Sequence, residues 1–249
     1  MEINDIKKIG VAGAGIMGAG IAQVFAENGY SVVLYDIAED FLKKGRNLIL
    51  HNQASLIKGE ILTEAAASEA LARIEFSIDK NSLADVDLLV EAIIEKLPIK
   101  QQFWAEMEGI LKPSAIMATN TSGLNINEIA QNLKRKSDFA VMHWWNPPHI
   151  IPLVEIAKGE ETSEDTVNLL VEITKKVRHK PVVIRKNAHG FICNRIQFAV
   201  LRETLHMVEE GIATPEDIDT AMKYGLGFRY AVLGPFESAD LGGIDTFHY

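Results

Sequence analysis

The chain has 249 residues, 47% hydrophobic and 24% charged, a composition that excludes a disordered or low-complexity polymer and leaves room for one large or two modest domains. Lys and Arg number 25 against 34 Asp and Glu, a formal net charge of −9, so a nucleic-acid binder held by a broad basic surface is excluded and any anionic ligand needs local capture. No apolar run reaches the roughly 18 residues of a membrane-spanning helix, the N-terminus MEINDIKKIGVAG lacks the basic and apolar regions of a secretion signal, and the one cysteine, Cys193, closes no internal disulfide; the expectation is a cytoplasmic protein.

In chain order, residues 7–12 (KKIGVA) predict a strand, and the spacing of Ile16, Ile21, Val24 and Phe25 a helix behind it. Tyr30 to Tyr35 is a β-branched and aromatic run ending at Asp36, so the first 36 residues read as a βαβ unit. Residues 39–73 read as one or two long polar helices interrupted near Lys58-Gly59, and Asp87 to Glu91 as a buried strand. Pro98 to Leu111 predicts a helix, Ala115 to Ala118 a strand and Asn125 to Leu133 a helix. Residues 139–143 and 153–156 predict strands around Asn146-Pro147-Pro148, where paired prolines forbid regular structure. Val182 to Ile184 closes this half. Alternating strands and helices predict an α/β, Rossmann-like, doubly wound and mostly parallel sheet. Beyond Asn187 the pattern turns helical: Phe191 to Glu210 is one long amphipathic stretch, and Thr214-Pro215-Glu216-Asp217 spells a helix start. The expected domains are therefore 1–187, binding a nucleotide, and 188–249, a smaller all-helical C-terminal domain.

Gly13-Ala14-Gly15-Ile16-Met17-Gly18 matches GxGxxG between a predicted strand and helix, the context in which the three glycines permit a tight turn, a close approach to pyrophosphate and close helix packing. The plain structural alternative is a glycine-rich turn without ligand. Asp36, 18 residues after Gly18 at the end of the second strand, is placed to bond ribose hydroxyls and to repel a 2′-phosphate, which favours NAD over NADP, although Lys43 and Lys44 soften that preference if they fold back.

Oxidising a hydroxyl needs a proton acceptor besides a hydride acceptor. His143 is the best candidate: it ends a strand at the sheet edge where open α/β domains bind ligands, and Glu155, 12 residues later on the next strand, is placed to orient its imidazole. The bland alternative, a histidine bonded to a backbone carbonyl, is the reading for His51, His179, His189, His206 and His248; His149 shares the turn as a weaker competitor. Ser122 in Thr119-Asn120-Thr121-Ser122 lies at a strand's C-terminal end, and Asn194 starts the long helix; each reads as capping chemistry or as a polar contact to substrate. No metal-ligand spacing is present.

Five blocks, GAGIMG, VEAIIEKLPIK (90–100), TNTSGL (119–124), HWWNPPHIIPLVEI (143–156) and HGFICNR (189–195), run in order and resemble the L-3-hydroxyacyl-CoA dehydrogenase family, 3-hydroxybutyryl-CoA dehydrogenases included. The resemblance implies NAD-linked interconversion of (S)-3-hydroxyacyl-CoA and 3-oxoacyl-CoA, with a helical domain that makes a homodimer. It implies His143 as general acid/base, Glu155 as its orienting carboxylate, Ser122 and Asn194 on the substrate oxygen, Asn146 supporting the histidine loop, and Glu91 and Lys96 along the nicotinamide half of NAD. Lys43, Lys44, Arg46 and Lys58 lie in the region the family uses for CoA, the alternative being a solvated helix face.

This sequence departs from the family pattern in three places. It ends at Ile244 to Tyr249 as another helix pattern begins, so the helical domain is expected to be truncated or abbreviated. Trp144-Trp145 replaces smaller aromatics and is expected to narrow the cleft beside the histidine. Gly225 to Tyr230 and Leu233 to Glu237 look closer to relatives acting on free 3-hydroxy acids, such as gulonate or carnitine. A non-catalytic, crystallin-like NAD-binding protein is compatible with the same nucleotide loop, although the intact His143 and Glu155 pair weighs against it. A lysine-based hydroxyacid dehydrogenase shares the glycine-rich start but would need a lysine where Cys193-Asn194-Arg195 stands.

Overall fold

Strands in the middle of a parallel sheet are covered on both faces and carry unbroken apolar runs instead of alternation. β1 (Lys8–Ala12), β2 (Ser31–Tyr35), β4 (Leu88–Glu91), β5 (Ile116–Thr119) and β6 (Phe139–Trp144) have that character, and with β3 (Ile74–Ser77), β7 (Leu153–Lys158) and β8 (Lys180–Ile184) they form one eight-stranded sheet in the order β3-β2-β1-β4-β5-β6-β7-β8. Every pairing is parallel except β6 with β7. The chain winds outward from β1 to β3, then returns to β4 on the other side of β1, which creates a switch point between β1 and β4, where ligands bind in open α/β sheets.

This computed structural model describes residues 2–186 and 188–243. It divides into two compact units, one ending at Ile192 and the other starting at Cys193. In the first, α1 (Ile16–Glu27), α2 (Glu39–Lys58), α3 (Glu64–Ala72), α4 (Leu97–Ile110), α5 (Ile126–Ile129) and α6 (Glu164–Lys176) flank the sheet. Alternate residues of each strand enter opposite layers: Ile9, Val11, Val90, Met142 and Trp144 pack with Phe25 and Leu170, whereas Ala12, Leu89, Val141 and Ala157 pack with Trp104, Ile126 and Phe191. The second unit holds α7 (Cys193–Glu209), α8 (Pro215–Ala221), a π turn over Met222–Leu226, α9 (Gly227–Tyr230) and α10 (Pro235–Gly242), with no strand among the described residues. The predicted cap at Thr214 is present, its hydroxyl accepting from the Asp217 amide. The domain boundary expected at Asn187 and the helix start expected at 244–249 lie outside the described residues.

Three elements differ from the sequence-based expectation. The predicted helix over 125–133 is a single turn, α5, because Asn125 caps it and the chain leaves helical hydrogen bonding at Ala130. β3 falls in the stretch after the polar helices; it is an edge strand with one fully buried residue, so its apolar signal is weak. α6 has no counterpart above, although Ser163, which accepts from the Thr166 amide, and Glu164-Asp165 mark its start.

Trp144 is 1% exposed and meets Phe25 edge-on at 5.6 Å. Trp144→Ala is expected to cost about 3–5 kcal/mol through the cavity it leaves, read as a lower urea midpoint with unchanged slope.

Candidate active site

The loop after β1 fits a dinucleotide. Gly13 has φ +100°, and a Cβ there would lie 2.5 Å from the Ala92 carbonyl oxygen; a Cβ on Gly18 would lie 1.7 Å from the Gly13 oxygen. Gly15 meets nothing within 4 Å, so its open side is where a ligand backbone can approach. The loop opens on a cavity of about 700 Å³ lined by Gly15, Ile16, Asp36, Lys44, Phe103 and Glu106 among others. Met17 instead leans on the hydrophobic layer. The unpaired first-turn amides of α1 supply phosphate donors. One oxygen of Asp36 accepts from the Ala14 amide at 2.6 Å and the other from Ile37 at 2.7 Å, which fixes the carboxylate on the cavity rim.

The expected basic cluster does not form a single group. Lys44 lines the cavity, Lys43 pairs with Asp40 at 3.7 Å, and Lys58 ends α2 fourteen residues beyond Lys44, about 21 Å along the axis at helical rise.

Glu91, which the resemblance puts along the nicotinamide half of NAD, is buried. Its side chain has no exposure; it is ion-paired with Lys100 and accepts from Thr119 Oγ1 at 2.7 Å, the Ile93 amide at 3.0 Å and Trp104 Nε1 at 3.3 Å. It is a buried anion satisfied by donors, as burial demands. Lys96 is exposed at the start of α4. The residue that sequence reasoning missed is Glu95: it reaches Lys100 Nζ at 3.2 Å, accepts from the Thr121 hydroxyl, and accepts from the Ser122 amide at 2.9 Å. Burial pushes the Glu95 carboxyl up, but the Thr121 hydroxyl, the Lys100 ammonium and the Ser122 amide together hold it below its ordinary 4.5. Its spacing from Glu91 is the available signal, since only one of two acids in VEAIIE can follow the strand inward.

His143 and Glu155 are directly opposite in the antiparallel β6–β7 register. His143 Nδ1 lies 2.8 Å from Glu155 Oε2, Trp145 Nε1 donates to the same oxygen at 3.1 Å, and the Ile192 amide donates to Oε1 at 2.9 Å. The imidazole is 5% exposed and the carboxylate is fully buried. With Nδ1–H directed at the carboxylate, Nε2 keeps its lone pair. Trp145 and Phe191 flank the imidazole at ring distances of 5.8 and 5.4 Å. Phe191 has φ +50° after Gly190 at +77°, a turn that delivers the Ile192 amide to Glu155.

Of the two tryptophans expected beside the histidine, only Trp145 is there; strand alternation sends Trp144 to the opposite face. Asn120 Oδ1 accepts from the Trp144 amide at 2.8 Å, tying the end of β5 to β6. Ser122 and Asn146 are exposed, and the Asn146–Pro147 bond is cis. Asn194 lies in the first turn of α7, in the second unit. His179 and His189 bond backbone carbonyls, as the bland reading expects. No cluster that could hold a metal ion occurs among the described residues, and no described helix is long and apolar enough to cross a membrane.

A glycine-rich loop at the switch point with an acid on its rim, and an imidazole–carboxylate pair across β6 and β7 of the same sheet, define an NAD-dependent oxidoreductase of the doubly wound class. Residues 8–188 match the family described as 3-hydroxyacyl-CoA dehydrogenase, NAD binding domain, and residues 190–249 match its C-terminal domain. The chain belongs to the 3-hydroxyacyl-CoA dehydrogenase family, and its cofactor is NAD. It is 38% identical over 241 residues to a 3-hydroxybutyryl-CoA dehydrogenase of Bradyrhizobium diazoefficiens, covering 97% of this chain and 81% of the relative. It is 35% identical over 244 residues to an L-carnitine dehydrogenase of Bacillus cereus, covering 98% and 74%. Among solved structures it resembles 5-formyl-3-hydroxy-2-methylpyridine 4-carboxylic acid 5-dehydrogenase, an NAD-dependent dismutase, with TM-score 0.89 and 32% identity over 97% of this chain and 78% of that one.

The lowered Glu95 pKa means that its ionised form stabilises the fold above about pH 4.5, and that this contribution is lost as pH falls through the folded-state value. Thermal unfolding between pH 3 and 7 is expected to show a shallower acid loss in Glu95→Gln than in the parent; parallel curves would remove this role.

Proposed function

We propose that this protein oxidises (S)-3-hydroxyacyl-CoA to 3-oxoacyl-CoA, and catalyses the reverse, with His143 as general acid/base. The observation that carries this reading is the buried His143–Glu155 pair at 2.8 Å. NAD, when bound, supplies the hydride acceptor. His143 Nε2 takes the hydroxyl proton, and Glu155, fixed by Trp145 and the Ile192 amide, steadies the imidazolium. Ser122 presents its hydroxyl to the substrate oxygen, with its backbone held by Glu95; Asn194 is assigned to the same oxygen and Asn146 to the histidine loop. Lys58 is assigned to the CoA moiety.

The division of labour proposed is a nucleotide domain over 1–187 and a helical domain over 188–249 that contributes to substrate binding and dimerisation. Support for a homodimer comes from the apolar side chains that the second unit leaves open, Phe228 at 75% and Phe236 at 89% exposure. A cytoplasmic setting fits the lone Cys193. The similarity to a carnitine dehydrogenase favours a second reading, a free 3-hydroxy acid as substrate.

NADH oxidation with acetoacetyl-CoA is expected to be fast, and 3-dehydrocarnitine and acetoacetate slow; the reverse ranking would establish the second reading. His143→Ala and Glu155→Gln are each expected to lower kcat about 10²–10⁴-fold while NAD binding by fluorescence is retained; near-normal turnover would overturn the assignment. Asp36→Ala is expected to lower the ratio of NAD to NADP affinity, and an unchanged ratio would take Asp36 out of cofactor selection.

A further inference from the structure

The turn from α6 to β8 reads Lys175-Lys176-Val177-Arg178-His179-Lys180, five basic or imidazole side chains in six residues of a chain whose net charge is −9. Lys175, Arg178, His179, Lys180 and Pro181 surround a hollow of about 500 Å³ that shares no residue with the nucleotide cavity. Cations are normal in the last turn of a helix, where they meet the negative end of its dipole, and that accounts for Lys175 and Lys176 alone. It does not account for Arg178 or Lys180.

Arg178 has φ +63° and follows Val177, the C-cap of α6, its amide donating to the Lys175 carbonyl at 2.9 Å. This left-handed position after a helix is usually glycine, which bears it without strain. An arginine therefore keeps a backbone penalty that its side chain does not recover, since no ion pair among the described residues involves Arg178, Lys175, Lys180 or Glu172, one turn back on α6. His179 brings its ring nitrogens to the carbonyl oxygens of Val177 and Pro148, at 2.9 Å each, which ties the turn to the loop that holds Pro148. The turn's backbone is held in place: the His179 ring packs on buried Trp144 at 4.9 Å, and the Lys180 amide donates to the Pro152 carbonyl at 2.6 Å. Trp144 alternates with His143 on β6, so the hollow lies across the sheet from the His143–Glu155 pair.

We propose that this hollow is a binding site for a phosphate-bearing anion, a diphosphate or phosphomonoester, held by Arg178, Lys180 and Lys175 and separate from the NAD site. Through the His179–Pro148 bond its occupancy bears on the loop that follows His143.

The test is calorimetric titration of the full chain with inorganic pyrophosphate in the presence of saturating NAD, which keeps the glycine loop occupied. Saturable binding is expected, weakening as KCl rises, and falling at least about tenfold in Arg178→Gly and in Lys180→Gln. Arg178→Gly relieves the left-handed strain, so this variant folds at least as well as the parent. Coenzyme A carries the same diphosphate; its displacement of pyrophosphate identifies the acyl carrier as the source and its failure to do so a free phosphate compound, and either supports the site. Absence of saturable binding, or parent-like binding in both variants, overturns it.

Discussion

A carboxylate with no exposure to water is tolerated only where donors replace its hydration, because the uncompensated penalty runs to several kcal/mol. Glu155 draws its donors from three segments that are remote in the chain: the imidazole of β6, the indole of Trp145 in the following loop, and the amide of Ile192 nearly forty residues later. Meeting that demand fixes the order of the β6–β7 pairing, the left-handed turn at Gly190-Phe191 and the tautomer of His143 together. The antiparallel reversal of β7 in an otherwise parallel sheet is what makes a direct cross-strand pair of His143 and Glu155 possible.

A second buried anion organises the other half of the site. Glu91 is neutralised by Lys100, and Lys100 in turn reaches Glu95 Oε2, while Glu95 Oε1 holds Thr121 and Ser122 just beyond the end of β5. An acid–lysine–acid chain thus links the strand beside the glycine loop to the hydroxyl-bearing loop beside the histidine. Its inner member is fully buried and its outer member is partly exposed, a division set by which acid continues the strand into the layer beneath α4.

Much of this was legible in sequence because it depends on spacing along one element. The GxGxxG loop, Asp36 at the end of β2, the strand ending in His143 and the Thr214 cap all follow from local periodicity and capping, and each has its expected structural setting. Sequence does not separate near neighbours: Glu91 is buried and Glu95 is not, and of Trp144 and Trp145 one enters the core and the other borders the imidazole. A strand sends adjacent side chains to opposite faces, so a shift of one position, or the point where the strand ends, exchanges core for site. The basic residues from Lys43 to Lys58 do not make one cluster for the complementary reason, since residues close in sequence are spread along a helix at about 1.5 Å each.

The sequence by itself determined the doubly wound fold, the nucleotide loop and the family, because ordered blocks of glycine, apolar and acid residues restrict the backbone locally. Only the tertiary structure decided which acids are buried, which tryptophan borders the imidazole, and that the Ile192 amide donates to the Glu155 carboxylate. These are contacts between segments distant along the chain, and the energy that selects them, desolvation balanced against donors, exists only once the segments have met.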